Sequence, residues 1–332
     1  MKPNTKIPCF GSASGIFFLT LLWILGAQFC VFAADYPVRP VTLICPFPPG
    51  GSRDIVGRMF AASAEKFLGK PLIVLNKPGA SGVIGTQAVI QAPPDGYTFG
   101  LVSTSDVNIV EAEIANGRKP AFTRHDFILL GALTRSPVQL VVPNASPWKT
   151  VADLVRDLKA RPNHYTFCSG GLYNVTHISM ELFLRATGTS AWLVPFKGAG
   201  DCLPAVVGAQ IDFTTQFLSS TMSMVQARRL RTLVVLGNER IAPDVPTTKE
   251  LGIDAQVYQM IGLSAPKGTP PGIVERMREI IKNVAEDAAF IKLVEGTGDA
   301  VRYTSGEELA RQWDVDSEQL AKLLPRLFKE VR

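Results

Sequence analysis

Phe127-Ile-Leu-Leu-Gly-Ala-Leu-Thr-Arg-Ser-Pro-Val-Gln-Leu-Val-Val-Pro143 is an almost uninterrupted β-type run. It offers about 15 residues of strand, long enough to leave one lobe and enter another. A second run of the same character, Val257 to Ala265, comes back late in the chain. Two long connecting strands imply one lobe built from both ends of the chain and a second lobe inserted between them. The expected division is residues 35–138 plus 260–332 for lobe 1 and residues 139–259 for lobe 2.

On either side of these strands, short β-rich runs alternate with helical patterns, which argues for a layered α/β fold. Val41 to Cys45 reads as a buried strand, followed by a Pro/Gly turn and a helix from Ser52 to Leu68. Ile55, Val56, Met59, Phe60 and Phe67 mark its buried face, with Lys66 and Gly69 as stop signals. Strands are expected at Pro71–Leu75 and Tyr97–Val102, with the loop Asn76–Gly82 and a short helix between them. The inserted part reads as helix Thr150–Ala160, strand Tyr165–Cys168, helix Tyr173–Ala186, strand Trp192–Phe196, helix Ala199–Val207 and strands Ile211–Gln216 and Leu230–Leu236. Helices over Pro271–Asp287 and Glu307–Glu330 close the chain. Open α/β sheets take ligands beyond the carboxyl ends of their strands. Two lobes facing each other across such ends form a hinged cleft.

The first 34 residues have a different character. Lys2 and Lys6 precede the apolar run Gly15–Phe29, and Val31-Phe32-Ala33 ends in a small residue just before Asp35. That order is a secretory signal, with cleavage preferred over a retained anchor. Without residues 1–34 the chain has 298 residues and its formal charge falls from +5 to +3. So mild a balance, with no dense Lys/Arg block, argues against nucleic acid as a partner. Cys45, Cys168 and Cys202 remain, an odd count with no CxxC and no His-rich spacing. No metal or cofactor is therefore expected, and buried free thiols are preferred over a Cys168–Cys202 bond.

Chemistry is most legible in Cys45-Pro-Phe-Pro-Pro-Gly-Gly-Ser-Arg-Asp54, a strand, a turn and a helix start. Gly50 and Gly51 let main chain approach a ligand, and the helix start behind them offers unpartnered N–H groups at its positive end. Ser52 either caps the helix, the preferred reading, or binds the ligand. Asp54 reads first as a dipole partner and Arg53 as a solvated cation. Cys168-Ser169-Gly170-Gly171 is a second such turn, before a helix carrying His177. Phe196-Lys197-Gly198-Ala199 is a third. Ser81, Thr104, Ser105 and Asn108 add candidate polar contacts. No P-loop, dinucleotide fingerprint, HExxH or GxSxG occurs. Donor-rich turns without a nucleophile–base pair suit the capture of a carboxylate rather than catalysis.

Several motifs occur in a familiar order: Tyr36-Pro-Val-Arg-Pro-Val-Thr-Leu-Ile, Pro46-Phe-Pro-Pro-Gly-Gly-Ser-Arg-Asp54, Asn76-Lys-Pro-Gly-Ala-Ser-Gly-Val-Ile-Gly85, Pro94-Asp-Gly-Tyr97 and Pro195-Phe-Lys-Gly198. Val245-Pro-Thr-Thr-Lys-Glu-Leu-Gly252 and Ala265-Pro-Lys-Gly-Thr-Pro270 extend the series. Together they closely resemble the tripartite tricarboxylate transporter substrate-binding family, also called the Bug family. The resemblance implies a monomeric periplasmic binding protein with two α/β lobes and a Venus-flytrap closure, type II-like, delivering an organic acid to membrane transporter subunits. It places the ligand against Phe47, Pro49, Gly50, Gly51, Ser52 and Asp54, and against Ser169, Gly170 and Gly171. Ser81, Thr104, Ser105, His177, Lys197 and Gly198 complete the expected site. Four positions depart from the family pattern. Arg53 replaces a small polar residue, Asp106 adds an acid, Gln216 stands where an acid is common, and Phe196 replaces a tyrosine. A sensory binding protein that signals to a membrane receptor or sensor kinase is the alternative function.

Overall fold

The structure is a computed structural model that describes residues 36–328. The signal segment expected at 1–34 and the end of the expected last helix lie outside the described residues. The chain divides into Met1–Val38 and one compact unit from Arg39 to Arg332, which holds every element named below.

Three parallel strands open the unit: β1 (Val41–Cys45) lies between β2 (Leu72–Asn76) and β3 (Thr98–Ser103). Helix α1 (Ser52–Leu68) leaves β1, and α2 (Val83–Ile90) joins β2 to β3. Gly69 ends α1 in the left-handed conformation at φ 74°, its N–H bonded to the Glu65 carbonyl, as a glycine allows without Cβ strain. Helix α3 (Thr104–Ala115) follows β3 with no intervening turn. The sequence reading missed α3 because the stop and the start are encoded together. The Ser103 hydroxyl accepts from the Ser105 N–H while Asp106 accepts from the Ser103 N–H, a reciprocal cap.

The long strand β4 (Phe127–Pro143) spans the run quoted above. Its first half pairs antiparallel with β9 (Tyr258–Pro266) and β10 (Val301–Ser305). Its second half, from Val138, pairs with β7 (Phe213–Phe217) and β8 (Leu230–Leu236). Strand β9 also pairs with β3, and β5 (Thr166–Ser169) lies parallel between β7 and β6 (Trp192–Pro195). The full order is β2-β1-β3-β9-β4-β7-β5-β6, with β8 and β10 attached to β4. The second half also carries α4 (Val151–Ala160), α5 (Val175–Thr187), α6 (Ala199–Val207) and α7 (Leu218–Gln226). Helices α8 (Pro271–Glu286), α9 (Ala288–Glu295) and α10 (Gly306–Phe328) return to the first sheet.

Two large cores fill the two halves. Leu43, Phe60, Phe99, Leu130, Ile281 and Phe290 belong to the first, and Leu140, Leu154, Phe167, Phe183 and Phe213 to the second. All are fully buried, each contributing roughly 1.5–3 kcal/mol of transfer energy. One expectation about the cysteines is overturned. Strand β5 and helix α6 bring Cys168 and Cys202 to a Cα separation of 6.0 Å, and the two form a disulfide. Cys45 alone is a buried free thiol among the described residues.

Near the point where β4 passes between the sheets, Asp299 is buried at 3% exposure. Neither carboxyl oxygen makes a well-aligned hydrogen bond. Burial raises its pKa, and the nearby Ser219 and Ser136 offset only part of that effect. A carboxyl raised in the folded state favours folding while protonated. Its contribution is full below the ordinary aspartate range and is lost as pH climbs through the raised value. Asp299→Asn should therefore raise Tm at neutral pH, by roughly 2–4 °C per kcal/mol recovered, and flatten the pH profile of Tm. Thermal unfolding from acid to neutral pH checks this, and superimposable profiles for the two proteins would count against it.

Candidate functional site

The carboxyl ends of β1 and β3 deliver the starts of α1 and α3, and those of β5, β6 and β7 deliver the starts of α5, α6 and α7. These ends meet at one cavity of about 30 Å³, which on this measure has room for about two waters. Phe47, Gly51, Ser52, Arg53, Ser105 and Gln259 line it from the first half of the fold, and Gly170, Asn174, Thr176, Ala199, Gln216 and Phe217 from the second.

The cleft is closed over this cavity. The Ser105 hydroxyl accepts from the Val175 N–H at 3.3 Å, joining the starts of α3 and α5. A Cβ added to Gly200 would lie 2.3 Å from the Pro49 carbonyl oxygen, and one on Gly198 would lie 2.6 Å from Pro48 Cδ. One on Gly171 would meet Ser81 Oγ at 2.5 Å. Pro49, Ser81, Gly171 and Gly198 are thus closing contacts rather than lining residues.

Several expected contacts have other roles. Asp54 accepts from the Gly50 N–H at 3.0 Å, from Asn76 Nδ2 at 2.8 Å and from Arg58 Nε at 3.1 Å, so it fixes its own loop. Gly50 sits at φ 82°, the left-handed region that suits glycine. Ser52 is not the cap of α1. Gly51 holds that position, and the Ser52 hydroxyl donates instead to Gln259 Oε1 at 2.7 Å. Thr104 accepts from the Met260 N–H and lies off the cavity, while Asn108 is buried in α3. In the second turn the Ser169 hydroxyl donates to the Gly171 carbonyl, the Gly170 N–H donates to Thr176 Oγ1 and the Gly171 N–H donates back to Ser169 Oγ. Those expected carboxylate donors are engaged within the turn. His177 Nδ1 accepts from the Tyr173 N–H and its Nε2 lies 3.6 Å from Glu181, so the ring anchors the start of α5. Lys197 is exposed.

The largest departure from the sequence reading is Arg53, which is 3% exposed rather than solvated. Its guanidinium lies 4.5 Å over the Phe47 ring, its Nη1 is 3.1 Å from Asp106, and its Nη2 donates to Ser103. Nε and Nη1 have no hydrogen-bond acceptor. Across the cavity, Gln216 is fully buried and its Oε1 has no partner. Asn174, Thr176, Ala199, Phe217 and Gln259 were also unread as site residues. A signal existed for Gln259, a polar side chain inside an otherwise apolar strand. None exists for Ala199.

Helix starts explain what the cavity can hold. Ser103 caps α3, and the Asn174 side chain caps α5 by accepting from the His177 N–H. Helices α1, α6 and α7 begin at Gly51, Gly198 and Phe217 with no side-chain cap. Their first N–H groups lack partners inside the helix and carry the positive ends of three dipoles. Three such ends beside a buried arginine favour an anion. The lining residues include no His, Cys, Asp or Glu. Cys45 lies beneath the loop with its thiol pushed up to about 11 by burial, so it is protonated at neutral pH and a poor nucleophile.

Residues 56–326 match the family described as tripartite tricarboxylate transporter family receptor. Protein BugT of Bordetella pertussis is 31% identical over 320 residues, 93% of this chain and 97% of BugT. The periplasmic binding protein BugD is similar in structure, with a TM-score of 0.81 and 26% identity over 88% of this chain and 98% of BugD. MatC from Rhodopseudomonas palustris, solved with bound malate, gives a TM-score of 0.80 at 27% identity over 86% of this chain and 99% of its own. Rpa4515 of R. palustris, solved with adipate, gives 0.81 at 27% identity over 87% and 98%. With two α/β halves about a shared cleft and that extent of match, the chain belongs to the tripartite tricarboxylate transporter receptor family of periplasmic binding proteins, the Bug family.

Proposed function

We propose that this protein captures a small carboxylate in the cleft and delivers it unchanged to a tripartite tricarboxylate-type membrane transporter. The observation that carries this reading is the convergence of three uncapped helix starts and one buried arginine on a single cavity between the two halves. Each replaces water lost by an anion, which would otherwise be held at high cost in a buried site. The malate and adipate held by similar proteins support the same ligand class. On this reading the lobes divide near residues 138 and 259, residues 1–34 export the chain to the periplasm and are removed, and the protein acts as a monomer.

Calorimetry against aliphatic, aromatic, hydroxy and amino acids, each beside its neutral amide, tests the proposal. Acids should bind and amides should not, with the bound acid recovered unaltered after denaturation. At a hundredfold excess over Kd the ligand adds about 2.7 kcal/mol to stability, visible as a rise in Tm. Binding of amides or sugars in preference to every acid would overturn it.

A further inference from the structure

We infer that the acid held here is a small hydroxy acid, its carboxylate on Arg53 and its hydroxyl donating to Oε1 of Gln216. The inference rests on the carboxylate reading above and adds the second recognition point. Arg53 supplies the first, because its Nε has no partner and its Nη1 is held only by the ion pair with Asp106. A carboxylate oxygen can accept from that free Nε–H.

The orientation of Gln216 is set by what lies behind it. Its Nε2 is 3.4 Å from Thr214 Oγ1 and 3.5 Å from Cys202 Sγ. The Thr214 hydroxyl already donates to the Cys168 carbonyl at 2.7 Å, so toward Gln216 it can only accept. Cys202 is in a disulfide and has no proton to give. Both neighbours therefore require the amide nitrogen, which leaves the oxygen as the free group of a fully buried side chain that lines the cavity. A buried acceptor without a donor is costly, so the ligand is selected for supplying one.

That donor is neutral. An ammonium needs an anionic partner once water is excluded, and no carboxylate lines the cavity. Asp106, the acid paired with Arg53, is also engaged by the Ser103 N–H and Thr86. The Arg53 charge would also repel a second cation. A hydroxyl meets the requirement.

Calorimetry on the whole protein with two matched triads tests this: lactate, propionate and alanine, then malate, succinate and aspartate. In at least one triad the hydroxy member should bind about tenfold or more tighter than both analogues. Gln216→Leu should abolish that preference, and Gln216→Glu should move it to the amino member. Equal binding of hydroxy and deoxy members by the wild type overturns the inference, as does binding of other acids but none of these six. Both results leave the carboxylate reading standing. Failure of every acid removes that reading as well.

Discussion

Gly200→Ala is expected to weaken ligand binding by about 100-fold or more while leaving the Tm of the ligand-free protein unchanged or slightly raised. Gly200 is the second residue of α6, and its backbone conformation is open to any residue. Alanine there would gain helix propensity over glycine. Its Cβ, however, would stand 2.3 Å from the Pro49 carbonyl oxygen on the opposite side of the cleft. Main chain faces main chain at that point, so no side-chain rotation relieves the clash. The two halves must separate, and the cavity loses one wall. The three atoms nearest that Cβ all belong to Pro48 and Pro49, so each half keeps its own packing. Calorimetry beside thermal unfolding separates the two effects. Unaltered affinity would show that closure does not need this contact.

Asp106→Ala should have the largest effect on stability, a loss of about 3–5 kcal/mol. Asp106 is 1% exposed and Arg53 is 3% exposed, with Nη1 and Oδ2 at 3.1 Å. Removing the acid strands a buried cation among Phe47, Ser103 and the cavity. It also breaks the cap of α3, since the Ser103 N–H donates to Asp106 at 2.7 Å, which accounts for about 1 kcal/mol of the total. Arg53→Met in the same chain removes the stranded charge, so the double variant should recover most of the loss and retain only the capping part. Urea unfolding of the four proteins in a double-mutant cycle gives the coupling. A cost under about 1 kcal/mol for Asp106→Ala alone would mean that Arg53 finds another partner.

Local signals carried most of the fold and less of the site. Strand β4, helix α6 and strand β8 run over the residues that periodicity and Pro/Gly punctuation assign them. Helices α3 and α7 escaped because each follows its strand directly, so no turn residue separates two apolar runs. Strand β10, at Val301–Ser305, is short and has no buried residue, with little apolar pattern to read. The burial of Arg53 was not legible because its partner lies 53 residues away, and only the pairing of β1 with β3 brings the starts of α1 and α3 together. The pairing of Cys168 with Cys202 escaped for the same reason, across 34 residues. Ser169 and Gly170 are legible as a donor-rich turn, yet whether such donors face a ligand or one another is set by backbone geometry that the sequence does not display.

Strand β4 is hydrogen-bonded into the first sheet up to Pro137 and into the second from Val138 onward. Beside that crossing, Val257 accepts from the Val138 N–H and donates to Leu236. Pro137 has no N–H to give, so the ladder is thinnest where the strand changes sheets. A continuous ribbon anchored at both ends cannot let its halves slide apart; it can only flex or twist at that weak rung. If the cleft captures an acid as proposed, its arrival would be converted into rotation about one short axis, with displacement growing with distance from it. A membrane partner that must tell a loaded carrier from an empty one would find the clearest difference at the outer rim, far from both the pivot and the acid.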